Sequence, residues 1–277
     1  MLLRDRMVPR INDDSFGVLM PAHILVDTAD SIAHITFARP ERLNAFDFTT
    51  GEEYREACKR VAASPDVSAI IISAQGPAFC AGGDVLAMAA AGVAGEQVTA
   101  AAHVIHEGIL ALVHAPVPVV AAVQGAVAGG GIGLMLAADY IVAAPNLRVA
   151  GKYADIGLTP DLGVSTLLTR SVGERRALQI LVGGAEVDAD TAMQWGLITE
   201  VKDEPLARAA QIASMWSQAA SDALGQAKRL IRTSAERTFS ENLADEAHTI
   251  GQAYASSEAQ TRIAAFSRMR DSRDGEE

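Results

Sequence analysis

Between Ile24 and Ala38 the segment ILVDTADSIAHITFA alternates apolar and polar residues around a break at Ala29–Ser31, the period-two pattern of a hairpin. The loop ARPERLNAFD follows, and its Pro40 forbids a continued strand. Thr49 or Thr50 is then placed to cap a helix reaching Ala63, with Tyr54, Cys58 and Val61 spaced three or four apart on one face. VSAIIISA is a short unbroken apolar run, the mark of a buried strand. A glycine-rich loop, GPAFCAGGDVLAM, comes next, with Asp84 placed to cap a short helix, and a longer helix is predicted from Glu96 to Ala115. PVPVVAAVQG reads as a strand opened by two prolines. A second glycine loop starts a helix near Gly130, and YIVAA is a further buried strand.

Strand, glycine loop, helix and strand recur at a loose spacing without sequence copies, which predicts a layered α/β core. Beyond Gly163 the strand signal fades. The segments STLLTRSVGERRALQILVGG and DADTAMQWGLI, and nearly everything from Pro205 to Arg273, read as helix, with Gly196 ending one helix before a short strand. The pattern divides the chain into an N-terminal extension (1–22), an α/β core (23–200) and a helical C-terminal region (201–277) ending in the charged tail DSRDGEE, expected to fray.

The chain has 277 residues, of which 49% are hydrophobic, enough for a substantial core. Its formal charge of −11 argues against nucleic acid or an anionic membrane as the main partner, because the summed field repels both. An anionic ligand therefore needs local donors. Two cysteines, Cys58 and Cys80, are too few for a disulfide scaffold or a zinc site and suit a reducing cytoplasm. The start carries Asp5, Asp13 and Asp14 with no apolar run of signal-peptide length, and reads as a ragged extension. No segment reaches the roughly twenty apolar residues of a membrane span.

A glycine loop before a helix most often binds phosphate, but the sequence fits neither phosphate motif. G-x-x-x-x-G-K-[ST] is absent, and AGGGIGLML offers Gly131 and Gly133 with Leu136 where the third glycine of G-x-G-x-x-G belongs. Two readings stay open. The glycines could serve tight turns and close helix packing. Alternatively, one N–H from each loop could point at a single carbonyl oxygen, as reactions through an enolate or tetrahedral adduct require.

Four ordered blocks carry a further signal: ARPERLNAF, GPAFCAGGDV, PVPVVAAVQGAVAGGGIGLMLAADYIVAA and IGLTPDLGVSTLLTRSVGERRALQILVGGAEVDADTAMQWGLITEV. Together they resemble the enoyl-CoA hydratase/isomerase (crotonase) superfamily from about Ile24 to the C-terminus. The resemblance implies a spiral of ββα units, a C-terminal helical region that builds homotrimers or homohexamers, and acyl-CoA thioester substrates with no separate cofactor. It implies that the N–H groups of Gly83 and Gly130 form an oxyanion hole. Arg42, Leu43, Ala45, Ala81, Gly82 and Tyr153 would line the substrate path, and Lys228 or Arg229, of the same chain or of a neighbouring subunit, would reach the CoA phosphates.

The superfamily varies its acids and bases over a shared oxyanion hole. Similar hydratases carry two glutamates, and matching the blocks puts these at Gly133 and Tyr153, neither of which can exchange a proton as a carboxylate does. Simple hydration is therefore disfavoured. Asp161, in GLTPDLG, matches the carboxylate of the isomerase branch, where one base suffices to move a double bond; the plainer alternative makes it a cap for a helix starting near Leu162. The same aspartate position is shared by 4-chlorobenzoyl-CoA dehalogenases, which pair it with a histidine that falls on His106; they carry a tryptophan where this chain has Tyr153. The expectation is an enoyl-CoA isomerase with Asp161 as base. The alternatives are a dehalogenase or thioester hydrolase using Asp161 with His106, a hydratase with an unconventional base, and a non-catalytic acyl-CoA-binding protein. A histidine on a largely apolar helix is more often packed and hydrogen-bonded than catalytic, and His106 could otherwise line an isomerase pocket. Asp84 and Asp155 read as cap and strand-end acids, Asp139 as structural, and Cys80 as packing.

Overall fold

The computed structural model describes residues 22–274, so nearly all of the expected N-terminal extension lies outside the described residues. Strands β1 (Ile24–Ala29) and β2 (Ile32–Phe37) form the expected antiparallel hairpin. Its two-residue turn, Asp30 and Ser31, has φ of 50° and 61°, the left-handed pair that matches the twist of the flanking strands. Helix α1 (Phe48–Ala62) buries Tyr54, Cys58 and Val61 as the spacing predicts, but its cap differs from the expected threonine. Asp47 accepts from Thr50 N and from Thr50 Oγ1, each at 2.8 Å, so Thr50 supports the cap instead of forming it. A carboxylate at the preceding loop end is the better acceptor for the first free N–H groups.

The chain then runs through β3 (Ala69–Ala74), α2 (Val85–Ala91), α3 (Gly95–Val113), β4 (Val119–Val123), β5 (Ala126–Ala128), α4 (Gly131–Leu136), β6 (Tyr140–Ala143) and β7 (Arg148–Ala150). It continues as α5 (Val164–Val172), α6 (Glu174–Leu181), β8 (Glu186–Asp188), α7 (Ala189–Trp195) and β9 (Glu200–Val201). Six strands form one sheet in the order β1-β2-β3-β4-β6-β9, parallel except for the first pair. The three-residue strands β5, β7 and β8 make a second sheet that the sequence pattern did not reveal. Alternation over three residues carries too little signal, although each of these strands buries its middle side chain. Paired strands followed by helix thus wind into the ββα spiral; the pairs β4/β5 and β6/β7 each supply one strand to each sheet, whereas the hairpin β1/β2 lies wholly in the large one.

The core between sheet and helices is anchored by Phe37, Phe46, Tyr54 and Phe79, whose rings meet at 5.1–6.0 Å, mostly edge to face. Helix α8 (Pro205–Gln218) covers the opposite face of the large sheet, packing Ala209, Ile212 and Ala213 on Ile71, Val120 and Val142. Its small residues let the helix sit close to the strands. From there α9 (Ser221–Thr233), α10 (Phe239–Ala255) and α11 (Ser257–Asp274) continue, and the expected fraying gives way to helix through Asp274. The ideal Cβ position of Gly225 lies 1.7 Å from Pro116 O, so α9 docks where only glycine fits. Ile231, Phe239, Ile250, Tyr254 and Phe266 on these helices are 62–78% exposed in the single chain.

Candidate active site

The first glycine loop is zipped onto the segment before α1. Ala81 N donates to Leu43 O at 3.0 Å, Phe46 N to Gly82 O at 2.8 Å and Asp84 N to Phe46 O at 2.8 Å. Gly82 has φ of 96°, and a Cβ there would lie 2.9 Å from Ala128 O and 3.4 Å from Gly130 N. Glycine is required at this point, because here the two loops meet. Asp84, 4% exposed, caps α2 by accepting from Ala87 N at 3.0 Å, as predicted, and also accepts from Arg39 Nη1 and Arg42 Nη2, each at 2.9 Å. Burial pushes its carboxyl up, but the hydrogen bonds from Arg42, Ala87 and Arg39 outweigh burial and hold it below its ordinary value. Arg39 also reaches Asp47 at 3.0 Å, so one ionic cluster ties this loop to the cap of α1.

Steric fit governs the second loop. The Cβ positions of Gly131 and Gly133 would lie 2.4 Å from Cys80 O and 1.9 Å from Leu162 O, and that of Gly130 lies 2.6 Å from Leu162 Cδ1 and 3.3 Å from Asp161 Oδ1. The Asp161–Leu162 segment is therefore pressed onto the start of α4. Neither Gly83 N nor Gly130 N donates to an acceptor among the described residues. Gly83 and Asp161 are exposed, whereas Gly130 is buried.

Asp161 does not cap α5 with its side chain. Gly163 occupies the cap position and Asp161 O accepts from Val164 N, while the carboxylate turns away to accept from Tyr153 Oη at 2.7 Å. The same hydroxyl lies 3.3 Å from Asp161 N, which donates to it. Burial first, and then the adjacent Asp161 carboxylate, push the Tyr153 phenol far above its ordinary range, so it remains a donor near neutrality. His106 Nε2 accepts from Leu162 N at 3.2 Å. An amide N–H can only donate, so Nε2 is unprotonated and the neutral ring carries its proton on Nδ1. Burial pulls the imidazole below 6.5, with His103 adding to the effect and Asp161 opposing it.

The sequence profile of the enoyl-CoA hydratase/isomerase family matches residues 27–273. The chain belongs to the enoyl-CoA hydratase/isomerase family. A protein of Mycobacterium tuberculosis named a probable enoyl-CoA hydratase is 32% identical over 212 residues, covering 76% of this chain and 82% of its own. The 1,2-epoxyphenylacetyl-CoA isomerase of Escherichia coli is 30% identical, covering 81% of this chain and 87% of its own. The crystal structure of an enoyl-CoA hydratase from a Polaromonas species superposes with a TM-score of 0.83 at 31% identity, over 88% of this chain and 96% of that one. This crotonase fold makes the chain an acyl-CoA-processing enzyme of a family whose members are named both hydratase and isomerase.

Several residues expected to touch substrate stand elsewhere. Lys228 is a correction: its ammonium is internal, 2.9 Å from Asp139 Oδ2 and donating to Leu112 O and Val117 O at 2.7 and 3.1 Å. A group with its three donors engaged under α9 cannot hold a CoA phosphate. Arg229, the other choice, pairs with Asp245 at 2.7 Å. Arg42, expected to line the substrate path, directs its guanidinium to Asp84 and fastens the first glycine loop. Leu43 is exposed, Ala45 is buried and Ala81 lies partly exposed beside Gly82. Cys80 is fully buried, its thiol pushed up to about 12 by burial, which fits packing. Sequence reasoning missed Arg39; the two arginines three apart in ARPER, facing the aspartate of GGD, are the signal that could have found it. Among the described residues no cluster of three His, Cys, Asp or Glu could hold a metal, and no helix is long and apolar enough to cross a membrane.

Proposed function

We propose that this enzyme shifts the double bond of an enoyl-CoA into conjugation, with Asp161 as the base and the N–H groups of Gly83 and Gly130 as oxyanion donors. The observation that carries the reading is a single carboxylate, held by Tyr153 and lying against Gly130 where the two glycine loops meet. With the thioester oxygen on the two amides, Asp161 takes a proton from C2 of a 3-enoyl chain, and the C–H electron pair spreads into a dienolate. The same carboxyl then returns the proton at C4, leaving the double bond between C2 and C3. Tyr153 occupies Oδ1, so Oδ2 is the oxygen that exchanges the proton. Carboxylate and oxyanion donors act together: the dienolate forms only if charge is held at the oxygen while the proton leaves.

Hydration is supported less well. Leu162 O fills the space above Gly133, and Tyr153 keeps its proton and donates a hydrogen bond to Asp161, so neither position supplies a second base to activate water. The dehalogenase or hydrolase reading needs a histidine with a free basic nitrogen, whereas the Nε2 of His106 accepts from Leu162 N. Substitution of Asp161 by Asn tests the proposal in an assay of 3-enoyl-CoA thioesters, followed by the absorbance of the conjugated product. The expected loss is at least about 100-fold in kcat. Activity within a few-fold of wild type would make the base assignment wrong. Halide release from a 4-halobenzoyl-CoA would favour the dehalogenase instead.

The enzyme assembles as a homotrimer or homohexamer, a reading supported by the exposed apolar side chains of α9, α10 and α11. Light scattering should give three or six chains per particle, and a monomer at micromolar concentration would refute it. The free, buried thiols of Cys58 and Cys80 fit a cytoplasmic setting.

A further inference from the structure

We infer that His106 is a positioning residue, a neutral imidazole whose Nε2 holds the Leu162 amide and so sets the Asp161 carboxylate against the second glycine loop. The inference rests on the proposed role of Asp161 and adds what keeps that carboxylate in place. Leu162 has φ of 49°, a left-handed conformation that strains a leucine, so the turn needs outside support. Leu162 is 3% exposed, and a buried N–H without an acceptor is costly. His106, 56 positions earlier on α3, supplies that acceptor. On the opposite side the Leu162 carbonyl rests on Gly133, where even a Cβ would lie 1.9 Å away. The peptide that follows Leu162 and the amide that precedes it are thus pinned by two different helices, α4 and α3. Asp161, one residue earlier, is placed by that grip and by Tyr153.

Protonation releases the latch. A proton on Nε2 sets donor against donor, so the Leu162 amide loses its partner when the ring becomes cationic. The charged and titratable groups about the ring are Asp161 on the loop before α5, Tyr153 bonded to it, and His103 on α3 itself, whose ring centroid lies 5.8 Å away. From α1, Lys59 is engaged with Glu107 at 3.0 Å. The lowered pKa of His106 keeps the latch neutral, and therefore closed, at neutral pH. Activity is predicted to fall on the acid side, below the ordinary histidine range.

The test compares kcat and KM as functions of pH for the wild type, His106→Leu, His106→Gln and Asp161→Asn, with 15N spectra of the imidazoles read alongside. Leucine removes the acceptor and should lower kcat roughly 10- to 100-fold with little change in KM, as a misplaced catalytic group does. Glutamine Oε1 can accept the same N–H without titrating, so His106→Gln should recover most of that loss and lack the acid-side fall contributed by the ring. The spectra should show the Nδ1–H tautomer at neutral pH. Wild-type kcat in His106→Leu, equal losses in both folded variants, or an Nε2–H ring would each overturn the inference. An active Asp161→Asn would instead refute the base assignment, and the tautomer would still be decided without reference to activity.

Discussion

The two glycine loops are held in place by different physics. The first, around Gly82 and Gly83, leaves Gly83 exposed and is fastened by backbone hydrogen bonds and charge: Asp84 gathers Arg39, Arg42 and the first turn of α2. The second, from Gly129 to Gly133, is buried and fastened by contact, with Cys80 O and Leu162 O sitting where side chains would otherwise be. A charged fastening tolerates small shifts, since ion pairs weaken gradually with distance. A steric one is all or none, because a backbone oxygen cannot be compressed.

That contrast can be broken at either end. The largest effect is expected for Gly133→Ala. Its methyl would overlap Leu162 O and drive the Asp161–Leu162 segment outward, lowering kcat roughly 100-fold and stability by about 1–3 kcal/mol; kinetics and urea unfolding would check it. Unchanged kcat would mean that Asp161 does not depend on the second loop. Asp84→Asn comes next and should reverse the balance. It removes the carboxylate that Arg39 and Arg42 share and costs about 2–3 kcal/mol in unfolding, held to that because Arg39 keeps Asp47 and Arg42 keeps access to water. Its effect on kcat should be smaller, about tenfold. The smallest effect is acid-dependent. Because the folded-state pKa of Asp84 is depressed, its stabilisation is complete above the unfolded value near 4 and is lost as pH falls through the folded value. The wild type should therefore lose stability below about pH 4 more steeply than Asp84→Asn, and parallel acid-unfolding curves would remove the electrostatic half of the comparison.

How much of this was legible in the chain depended on how far each feature repeats. The six-residue strands β1 and β2 and the long α1 show their period directly, whereas β5, β7 and β8 are too short to show one. The cap of α2 at Asp84 was visible because a cap lies beside its helix. The cap of α1 was assigned two or three residues late because Asp47, Thr49 and Thr50 are all competent and only the local geometry selects among them. Lys228 misled for a related reason: a basic residue on an amphipathic helix reads as exposed until Asp139, from the far side of α4, is seen to meet it.

The sequence by itself determined the materials: two glycine loops, an aspartate at position 161, no carboxylate at positions 133 and 153, and a layered α/β core with a helical end. These follow from residue identity and local period, which are written in the chain. The tertiary structure alone decided the assignments, giving His106 to the Leu162 amide, Tyr153 to Asp161, Arg42 to Asp84 and the space over Gly133 to a backbone oxygen. Each is a contact of a few ångströms between residues as many as 56 positions apart. Such contacts are set by how helices and sheets pack, and no local pattern encodes them.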